Sequence, residues 1–197
     1  MRTLCAALLA LVLASEAARA DKFQVLWDKF HLVEQVGRLE LALDARDWET
    51  VASLFSDVVQ LRVLRVRTAV TRDGLVERWK SLYMPEKTTF HMTANPVVDL
   101  DGDTAEVTAS GTVWNRLRGT PGGDEWEVWG IFRYGFVREG GNWRIDAYTF
   151  IPQREEGNRR VATAGAFLLP GAIGTKTEPV FKSYTTEAFG EAFGGGD

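Results

Sequence analysis

The chain has 197 residues, enough for one domain with a sizeable core and an extension. Its 23 basic and 27 acidic side chains give a formal net charge of −4, which argues against a polyanionic partner such as nucleic acid. The single cysteine, Cys5, excludes an internal disulfide and a cysteine-based metal site. Apolar residues make up 45% of the chain, a share typical of a globular protein.

Residues 1–20 have the three parts of an export signal. Arg2 gives a basic start, an apolar run of eleven residues extends from Leu4 to Ala14, and Ala18-Arg19-Ala20 provides a small-x-small cleavage pattern. A run of this length is too short to span a bilayer. We therefore expect cleavage after Ala20, a secreted or otherwise exported protein, and no stable membrane insertion after cleavage.

The next segment is predicted to be one long amphipathic helix over residues 21–46. Its apolar side chains recur at helical spacing. Glu40 and Asp44 are four residues apart, so they share a face, and we expect this face to turn partly inward. His31 lies roughly 140° away from Asp44 around such a helix. We therefore expect His31 to face solvent.

Two further helices and a strand follow in the sequence. Asp47 is placed to cap a short helix over residues 48–55. Residues 58–70 are rich in β-branched side chains, and their alternation slips by one near Val63. A β-bulge in a single strand is the simplest cause of such a slip. Asp73 is expected to cap the third helix.

Residues 88–113 are predicted to form a long β-hairpin around Asp101-Gly102. The first arm carries His91, which lies outside all three predicted helices. The second arm alternates small inward residues with polar ones, and this leaves room beneath the sheet rather than a filled core. The inward row is Ala105, Val107, Ala109, Gly111 and Val113.

The remaining strands are predicted over residues 126–137, which carry alternating aromatic residues, and over residues 143–151. The order of elements predicts an α+β fold in which a curved antiparallel sheet wraps N-terminal helices around one pocket. We expect this domain to cover residues 21–155. Residues 156–197 are rich in Gly and Ala and lack a clear period, so we expect an extended C-terminal tail.

Three phrases resemble the SnoaL-like branch of the nuclear transport factor 2-like superfamily. They are LDARDWETVASLFSD, TTFHMTANPVVDLDGDTAEV and GGNWRIDAY, and with the elements between them they cover about residues 25–152. Their order and spacing agree with that branch. The resemblance implies a cone-shaped α+β domain, also called a cystatin-like roll, whose sheet and helices enclose one deep pocket.

The nearest enzymatic pattern is that of scytalone dehydratase and similar enzymes. In these enzymes an acid on the first helix and a histidine at the start of the third strand act together across the pocket. The resemblance assigns these roles to Asp44, in DARDW, and His91, in TTFHM. A histidine with a pKa of roughly 6.5 exchanges protons near neutral pH, and a neighbouring carboxylate stabilises its charged form.

The chain also departs from that enzymatic pattern. The second catalytic histidine has no counterpart, and its position falls at Asn115 or Arg116, depending on the alignment of the turn. The tyrosine pair of the pocket corresponds to Leu43 and Val63. The full dehydratase machinery is therefore not carried over. The residues expected to bind a substrate are Val63, Asn115, Phe132 and Tyr148.

Two functions stay open at this point. The first is a cofactor-independent and metal-independent lyase or isomerase that uses Asp44 and His91 on a small polyketide-like or cyclic hydrophobic molecule. The alternative is a non-catalytic module that binds a hydrophobic ligand or forms a dimer, in which Asp44 ends a helix and His91 has a structural hydrogen bond. A homodimer through the convex sheet is expected from Trp114, Trp126 and Trp129.

Overall fold

A computed structural model describes residues 2–63 and 66–164, and residues 165–197 of the predicted tail lie outside the described residues. Helices pack beside a six-stranded sheet. The elements are α1 Arg2–Ala45, α2 Trp48–Leu54, β1 Phe55–Val63, β2 Val66–Thr71, α3 Arg72–Leu82, β3 Thr88–Asp101, β4 Thr104–Arg116, β5 Glu125–Glu139, β6 Asn142–Gly157 and α4 Arg159–Thr163. The strand order within these residues is β2-β1-β6-β5-β4-β3.

The predicted fold class, an α+β domain with a curved sheet and N-terminal helices, is confirmed. Strands β3 to β6 form the expected antiparallel series. One pair differs from the prediction, because β1 runs parallel to β6, with Leu61 beside Tyr148. A parallel pair needs a long connection, and the four strands between β1 and β6 in the chain, together with α3, provide it.

Helix α1 is continuous from Arg2 to Ala45, so the predicted leader has the same helical backbone as the segment after it. Export and cleavage stay predictions. In the described part of the chain, no helix is long and apolar enough to cross a membrane. The body of the helix is fixed to the sheet by Asp28, which accepts hydrogen bonds from Trp143 Nε1 (3.0 Å) and Arg138 Nη2 (2.8 Å).

The helix starts follow the capping rules, with one correction. Asp47 caps α2 as predicted, accepting a bond from the Thr50 backbone N–H at 3.0 Å. Helix α3 starts one residue earlier than its predicted cap, Asp73. Its cap is Thr71, whose hydroxyl oxygen accepts a bond from the Gly74 N–H at 3.2 Å. Thr71 has the extended backbone that a cap requires, whereas Asp73 is already helical.

The prediction of one bulged strand over residues 58–70 is wrong. The segment forms two antiparallel strands, β1 and β2, with Val63 opposite Val66. The slip in alternation therefore marks a chain reversal. The turn of the β3–β4 hairpin also lies one residue later than predicted, because Asp101 pairs with Thr104 and Gly102 supplies the positive φ of +57°.

The inner face of the sheet is less empty than predicted. The small residues Ala105, Val107 and Ala109 are buried as expected. At Gly111, however, a Cβ atom would lie only 2.9 Å from the ring of Phe132. The absence of a side chain at this position therefore allows the Phe132 ring, which belongs to β5, to pack over the small inward residues of β4. Phe132 in turn packs on Phe150, with ring centroids 4.5 Å apart. The space beneath β4 is therefore filled at its centre, and the hollow is displaced towards one end of the sheet.

The chain beyond residue 155 continues into the folded body. Strand β6 extends to Gly157, and α4 follows with Val161 fully buried. Lys87, which precedes β3 and is itself only 3% exposed, donates a hydrogen bond to the Ala164 carbonyl at 3.2 Å. Residues 156–164, expected at the start of the tail, therefore pack against the domain.

Candidate active site

Asp44 and His91, predicted from distant parts of the sequence, are in direct contact. Asp44 lies in the last turn of α1, and His91 lies near the start of β3. The Asp44 Oδ1 and His91 Nδ1 atoms are 2.7 Å apart, and the His91 backbone N–H donates to Asp44 Oδ2 at 2.8 Å. Thr89 Oγ1 donates to Asp44 Oδ1 at 2.8 Å. The carboxylate thus orients the imidazole and leaves Nε2 available to another partner.

Arg46 holds these two elements together. Its φ of +61° lies in the left-handed region that a non-glycine residue seldom adopts, and there it ends α1. The guanidinium donates to the carbonyls of Leu43 (2.6 Å) and Lys87 (2.5 Å) and to Thr89 Oγ1 (2.7 Å). Because Arg46 occupies one lone pair of the Thr89 hydroxyl, the hydroxyl proton is directed to Asp44. Arg46 therefore fixes both the position and the hydrogen bonding of the Asp44 carboxylate.

The local environment favours the ionised form of Asp44. Burial is the largest single influence and raises the pKa, but the hydrogen bonds and charge of His91, with the Thr89 hydroxyl, outweigh it. The net result is an Asp44 pKa below its ordinary value. A carboxylate that stays charged beside an imidazole stabilises the imidazolium form, so the pair can accept and return a proton.

A cavity of about 330 Å³ opens beside this pair, between α3, α4 and the inner face of the sheet. All four residues predicted to bind a substrate line it. Its walls are mainly apolar and aromatic, with polar groups at a few positions. The lining includes Leu61, Val63, Trp79, Leu82, Tyr83, Val113, Asn115, Trp126, Val128, Phe132, Tyr148, Phe150 and Pro152.

Three polar side chains on the cavity wall have no protein partner within the described residues. Asn115 is only 3% exposed, yet its amide makes no hydrogen bond there. The Tyr148 hydroxyl is likewise unbonded in this part of the chain. The Arg78 guanidinium has no ion pair among the same residues, whereas the other lining arginine, Arg159, is paired with Glu155. These groups can hydrogen-bond to a ligand.

Neither Asp44 nor His91 is among the described residues that line the cavity. The His91 side chain is 4% exposed, and Tyr83 lies between it and the cavity. The Tyr83 hydroxyl and His91 Nε2 are 3.1 Å apart, and the two rings meet edge to face with centroids 5.3 Å apart. Sequence reasoning missed Tyr83, because nothing in the pattern shows how the end of α3 folds back over β3.

Glu40 lies on the face of α1 that was expected to turn partly inward, and it is buried there. It is 8% exposed and accepts hydrogen bonds from Thr93 Oγ1 (3.2 Å) and the Tyr134 hydroxyl (3.3 Å). Burial raises the Glu40 pKa, although the nearby His91 and both hydroxyl groups act in the opposite direction. Its four-residue spacing from Asp44 was the signal that placed both acids on one inward face.

Other expectations concern residues outside this site. The His31 side chain is 39% exposed and lies 4.0 Å from Glu34 Oε2, as expected for a solvent-facing histidine. Trp126, one of the three tryptophans expected at a dimer interface, lines the cavity and donates to Glu155 Oε2 at 3.2 Å, and the homodimer stays a prediction. Among the described residues, no group of three or more His, Cys, Asp or Glu side chains is arranged to hold a metal ion.

Several solved structures have this fold. The Kfla4162 protein from Kribbella flavida is 20% identical, with a TM-score of 0.66 over 71% of this chain and 99% of its own. A candidate scytalone dehydratase from Novosphingobium aromaticivorans is 15% identical, with a TM-score of 0.60 over 68% and 89%. The hexachlorocyclohexane dehydrochlorinase LinA-type3 from Novosphingobium barchaimii is 13% identical, with a TM-score of 0.62 over 70% and 94%. At these identities the likeness shows the fold alone.

The sequence itself identifies the family. No curated protein has a sequence that matches this chain. The family model described as SnoaL-like domain matches residues 24–149, which is more than half of the chain and includes Asp44, His91 and strands β1 to β5. The resemblance predicted from the three sequence phrases is therefore confirmed. The chain belongs to the SnoaL-like family.

Proposed function

We propose that this protein is a cofactor-independent lyase or isomerase that moves protons on a small cyclic hydrophobic molecule. The observation that carries the proposal is the 2.7 Å contact between Asp44 and His91 immediately behind the wall of an apolar cavity. An oriented imidazole with a charged carboxylate behind it is an acid–base device that works near neutral pH. The apolar walls exclude water and strengthen electrostatic interactions inside the cavity.

The reaction begins with removal of a proton from a carbon next to a carbonyl group. The Asp44–His91 pair takes up the proton, and the electrons of the broken C–H bond pass into the carbonyl as an enolate. In elimination, the enolate expels a hydroxyl group from the neighbouring carbon, and the pair returns the proton so that water leaves. In isomerisation, the proton returns to a different carbon, and no group leaves.

The unpartnered cavity groups suit the ligand of such a reaction. The Asn115 amide can donate to the carbonyl oxygen and so stabilise the enolate. The Tyr148 hydroxyl can hold a second oxygen of the ring system. The aromatic rings of Trp79, Phe132 and Phe150 offer stacking surfaces for a cyclic molecule. A volume of about 330 Å³ accommodates a molecule of one or two rings.

The names of two structural neighbours describe related chemistry. A dehydratase removes water, and a dehydrochlorinase removes hydrogen chloride, so both names describe eliminations that begin from a substrate C–H bond. These names give a reaction class that the Asp44–His91 geometry is suited to perform. They do not supply the substrate of this chain, and the proposal therefore extends only to a small, cyclic, hydrophobic molecule.

One observation favours a second function, the non-catalytic binding of a hydrophobic ligand. His91 Nε2 already contacts the Tyr83 hydroxyl, and the imidazole has almost no exposed surface. A histidine that only fastens β3 to α1 and α3 would have the same contacts. In this case the cavity would retain its ligand without chemical change.

Turnover of nitrobenzisoxazole, a chromogenic aromatic carbon acid, separates the two functions. We expect the full-length protein to accelerate its elimination, and His91→Ala and Asp44→Asn to reduce the rate by about 100-fold or more. His31→Ala is the matched control, because this second histidine is exposed and precedes Asp44 by thirteen residues on α1. Equal rates for wild type, His91→Ala and Asp44→Asn would contradict the enzymatic function.

A further inference from the structure

Tyr83 connects the buried acid–base pair with the cavity. Asp44 and His91 are both absent from the described cavity lining, whereas Tyr83 belongs to it and contacts His91 Nε2 through its hydroxyl group. We infer that Tyr83 is a catalytic residue, and that its hydroxyl oxygen passes protons between His91 and the bound molecule. This inference rests on the proposed function and names the atom that touches the substrate.

The hydrogen-bond pattern shows how protons can pass between the ligand and His91. The Asp44 carboxylate accepts the proton of His91 Nδ1, so that the neutral imidazole has its lone pair on Nε2. The Tyr83 hydroxyl, 3.1 Å away, then donates to this lone pair. The remaining lone pairs of the hydroxyl oxygen are free to face the cavity. Asp44, His91 and Tyr83 therefore form one continuous row from carboxylate to ligand.

The Tyr83 ring is held in place on several sides. It ends α3 as the C-cap residue, and its backbone N–H donates to the Trp79 carbonyl at 2.7 Å. The Arg46 guanidinium lies 5.5 Å from the ring centroid, a cation–π contact, and His91 packs against the edge. These contacts keep the hydroxyl close to Nε2. A fixed donor–acceptor pair reduces the reorganisation that proton transfer would otherwise require.

The proton transfer is balanced through two linked bonds. As a ligand C–H bond breaks, its proton forms the new O–H bond of Tyr83, and the former hydroxyl proton moves to His91 Nε2. The result is an imidazolium beside the Asp44 carboxylate, while the bonding electrons stay on the ligand as an enolate. The reverse pair of transfers delivers a proton to a departing hydroxyl group or to another carbon. No external acceptor of electrons is required.

The two proton movements must occur together. Burial, assisted by the negative charge of Asp44, raises the Tyr83 pKa well above its ordinary value. A free phenolate is therefore unfavourable at this position. A concerted transfer never places a full negative charge on the Tyr83 oxygen, because the positive charge develops on His91, next to the carboxylate that stabilises it.

The opposite role for Tyr83 is a gate. In this alternative the side chain swings away, and His91 Nε2 reacts with the ligand directly. The two roles make opposite predictions for Tyr83→Phe, which removes only the hydroxyl group and keeps the ring. The relay predicts that kcat for nitrobenzisoxazole falls by about 100-fold, with KM nearly unchanged. The gate predicts an unchanged or higher kcat.

Heteronuclear NMR of the two histidine rings provides a second measurement that does not depend on turnover. In the wild-type protein we expect His91 to have its proton on Nδ1 and a hydrogen-bonded Nε2, and Tyr83→Phe to shift the Nε2 resonance. His31 is the internal reference and should not change. An unchanged His91 spectrum in Tyr83→Phe would overturn the relay, since the contact it requires would be absent in solution.

The outcomes distinguish the relay from the proposed function. If wild type is active, His91→Ala is inactive and Tyr83→Phe is inactive with an intact fold by circular dichroism, both stand. If Tyr83→Phe retains wild-type kcat while His91→Ala is inactive, the relay fails and the proposed function remains. If wild type does not accelerate the elimination above the buffer rate, both the proposed function and the relay are overturned.

Discussion

Asp44 and Glu40 lie one helical turn apart on the inward face of α1, yet their environments shift the pKa values of the two carboxyl groups in opposite directions. Asp44 contacts an imidazole that can carry a positive charge, and its pKa is lowered. Glu40 accepts bonds from the neutral hydroxyls of Thr93 and Tyr134, and burial raises its pKa although the charge of His91 and these bonds act in the opposite direction. Burial raises the pKa of both groups. The direct contacts with His91 therefore outweigh burial at Asp44, whereas burial outweighs the opposing influences at Glu40.

A third buried group extends this comparison to a cation. Lys87 donates to the carbonyls of Ala162 (3.5 Å) and Ala164 (3.2 Å) and makes no ion pair with an acidic side chain among the described residues. Burial, with repulsion from Arg46, lowers its pKa to about 8. Burial thus outweighs the neutral hydrogen-bond partners of both Glu40 and Lys87, and it shifts the pKa of each group towards the neutral form. Of these three groups, only Asp44 has a pKa that is shifted towards its charged form, and its carboxylate contacts His91.

The largest expected effect on stability is that of Asp44→Asn. The substitution removes the charge from an acceptor that receives three hydrogen bonds, and we expect the free energy of unfolding at neutral pH to fall by about 1.5–3 kcal/mol. Because the folded pKa lies below the unfolded value, this contribution is present above the unfolded pKa of 3.8 and is lost as the pH falls through the folded pKa. Urea titrations at neutral and acidic pH measure it.

The matched control for this substitution is Asp73→Asn, whose side chain is 90% exposed. We expect the control to change the free energy of unfolding by less than about 0.5 kcal/mol. An Asp44→Asn variant as stable as this control would mean that the His91 contact does not stabilise the charged form.

Lys87→Met is expected to have a smaller effect, with a different pH dependence. The variant loses the bonds to the Ala162 and Ala164 carbonyls, at a cost of about 1 kcal/mol. In the wild type the unfolded chain binds more protons than the folded protein between about pH 8 and 10.5, so Lys87 makes stability rise with pH in this interval. The free energy of unfolding of the wild type minus that of Lys87→Met should therefore increase across this pH interval. A constant difference would contradict the lowered pKa, and Lys80→Met, at an exposed site, is the control.

The smallest expected effect is that of Glu40→Gln, and its sign is opposite to that of Asp44→Asn. Since the folded pKa lies above the unfolded value of 4.5, stability falls as the pH rises through the interval between them. Glutamine removes this fall, so the variant should be more stable than wild type above the interval and lose this advantage below it. Thermal unfolding of both proteins, measured at one pH above this interval and at one pH below it, tests this prediction. Destabilisation at neutral pH equal to that of Asp44→Asn would remove the contrast between the two acids.

The sequence contained enough information to predict the Asp44–His91 contact and the order of elements, apart from the β1–β2 reversal and helix α4. The alternation along β4 gave its inward face, and the phrases around DARDW and TTFHM related an acid on a helix to a histidine on a strand. Patterns of this kind fix which side of an element faces the core. All four residues expected to bind a substrate, Val63, Asn115, Phe132 and Tyr148, line one cavity.

The same patterns could not give distances between elements. The role of Tyr83 depends on where α3 ends and how the chain returns to β3, which is a property of tertiary packing. The slip at Val63 had two local explanations, a bulge or a reversal, and only the pairing with Val66 distinguishes them. The burial of Glu40 depends on Tyr134, which lies 94 residues later in the chain.

Proton exchange on a simple ketone tests most directly whether the Asp44–His91 pair moves protons. Tetralone, a small bicyclic ketone, is incubated with the full-length protein in deuterium oxide, and loss of the hydrogens next to its carbonyl is followed by NMR. We predict faster exchange than in buffer for wild type and for His31→Ala, and the buffer rate for His91→Ala and Asp44→Asn. If exchange is as fast with His91→Ala as with wild type, the proposal that the Asp44–His91 pair moves protons is contradicted.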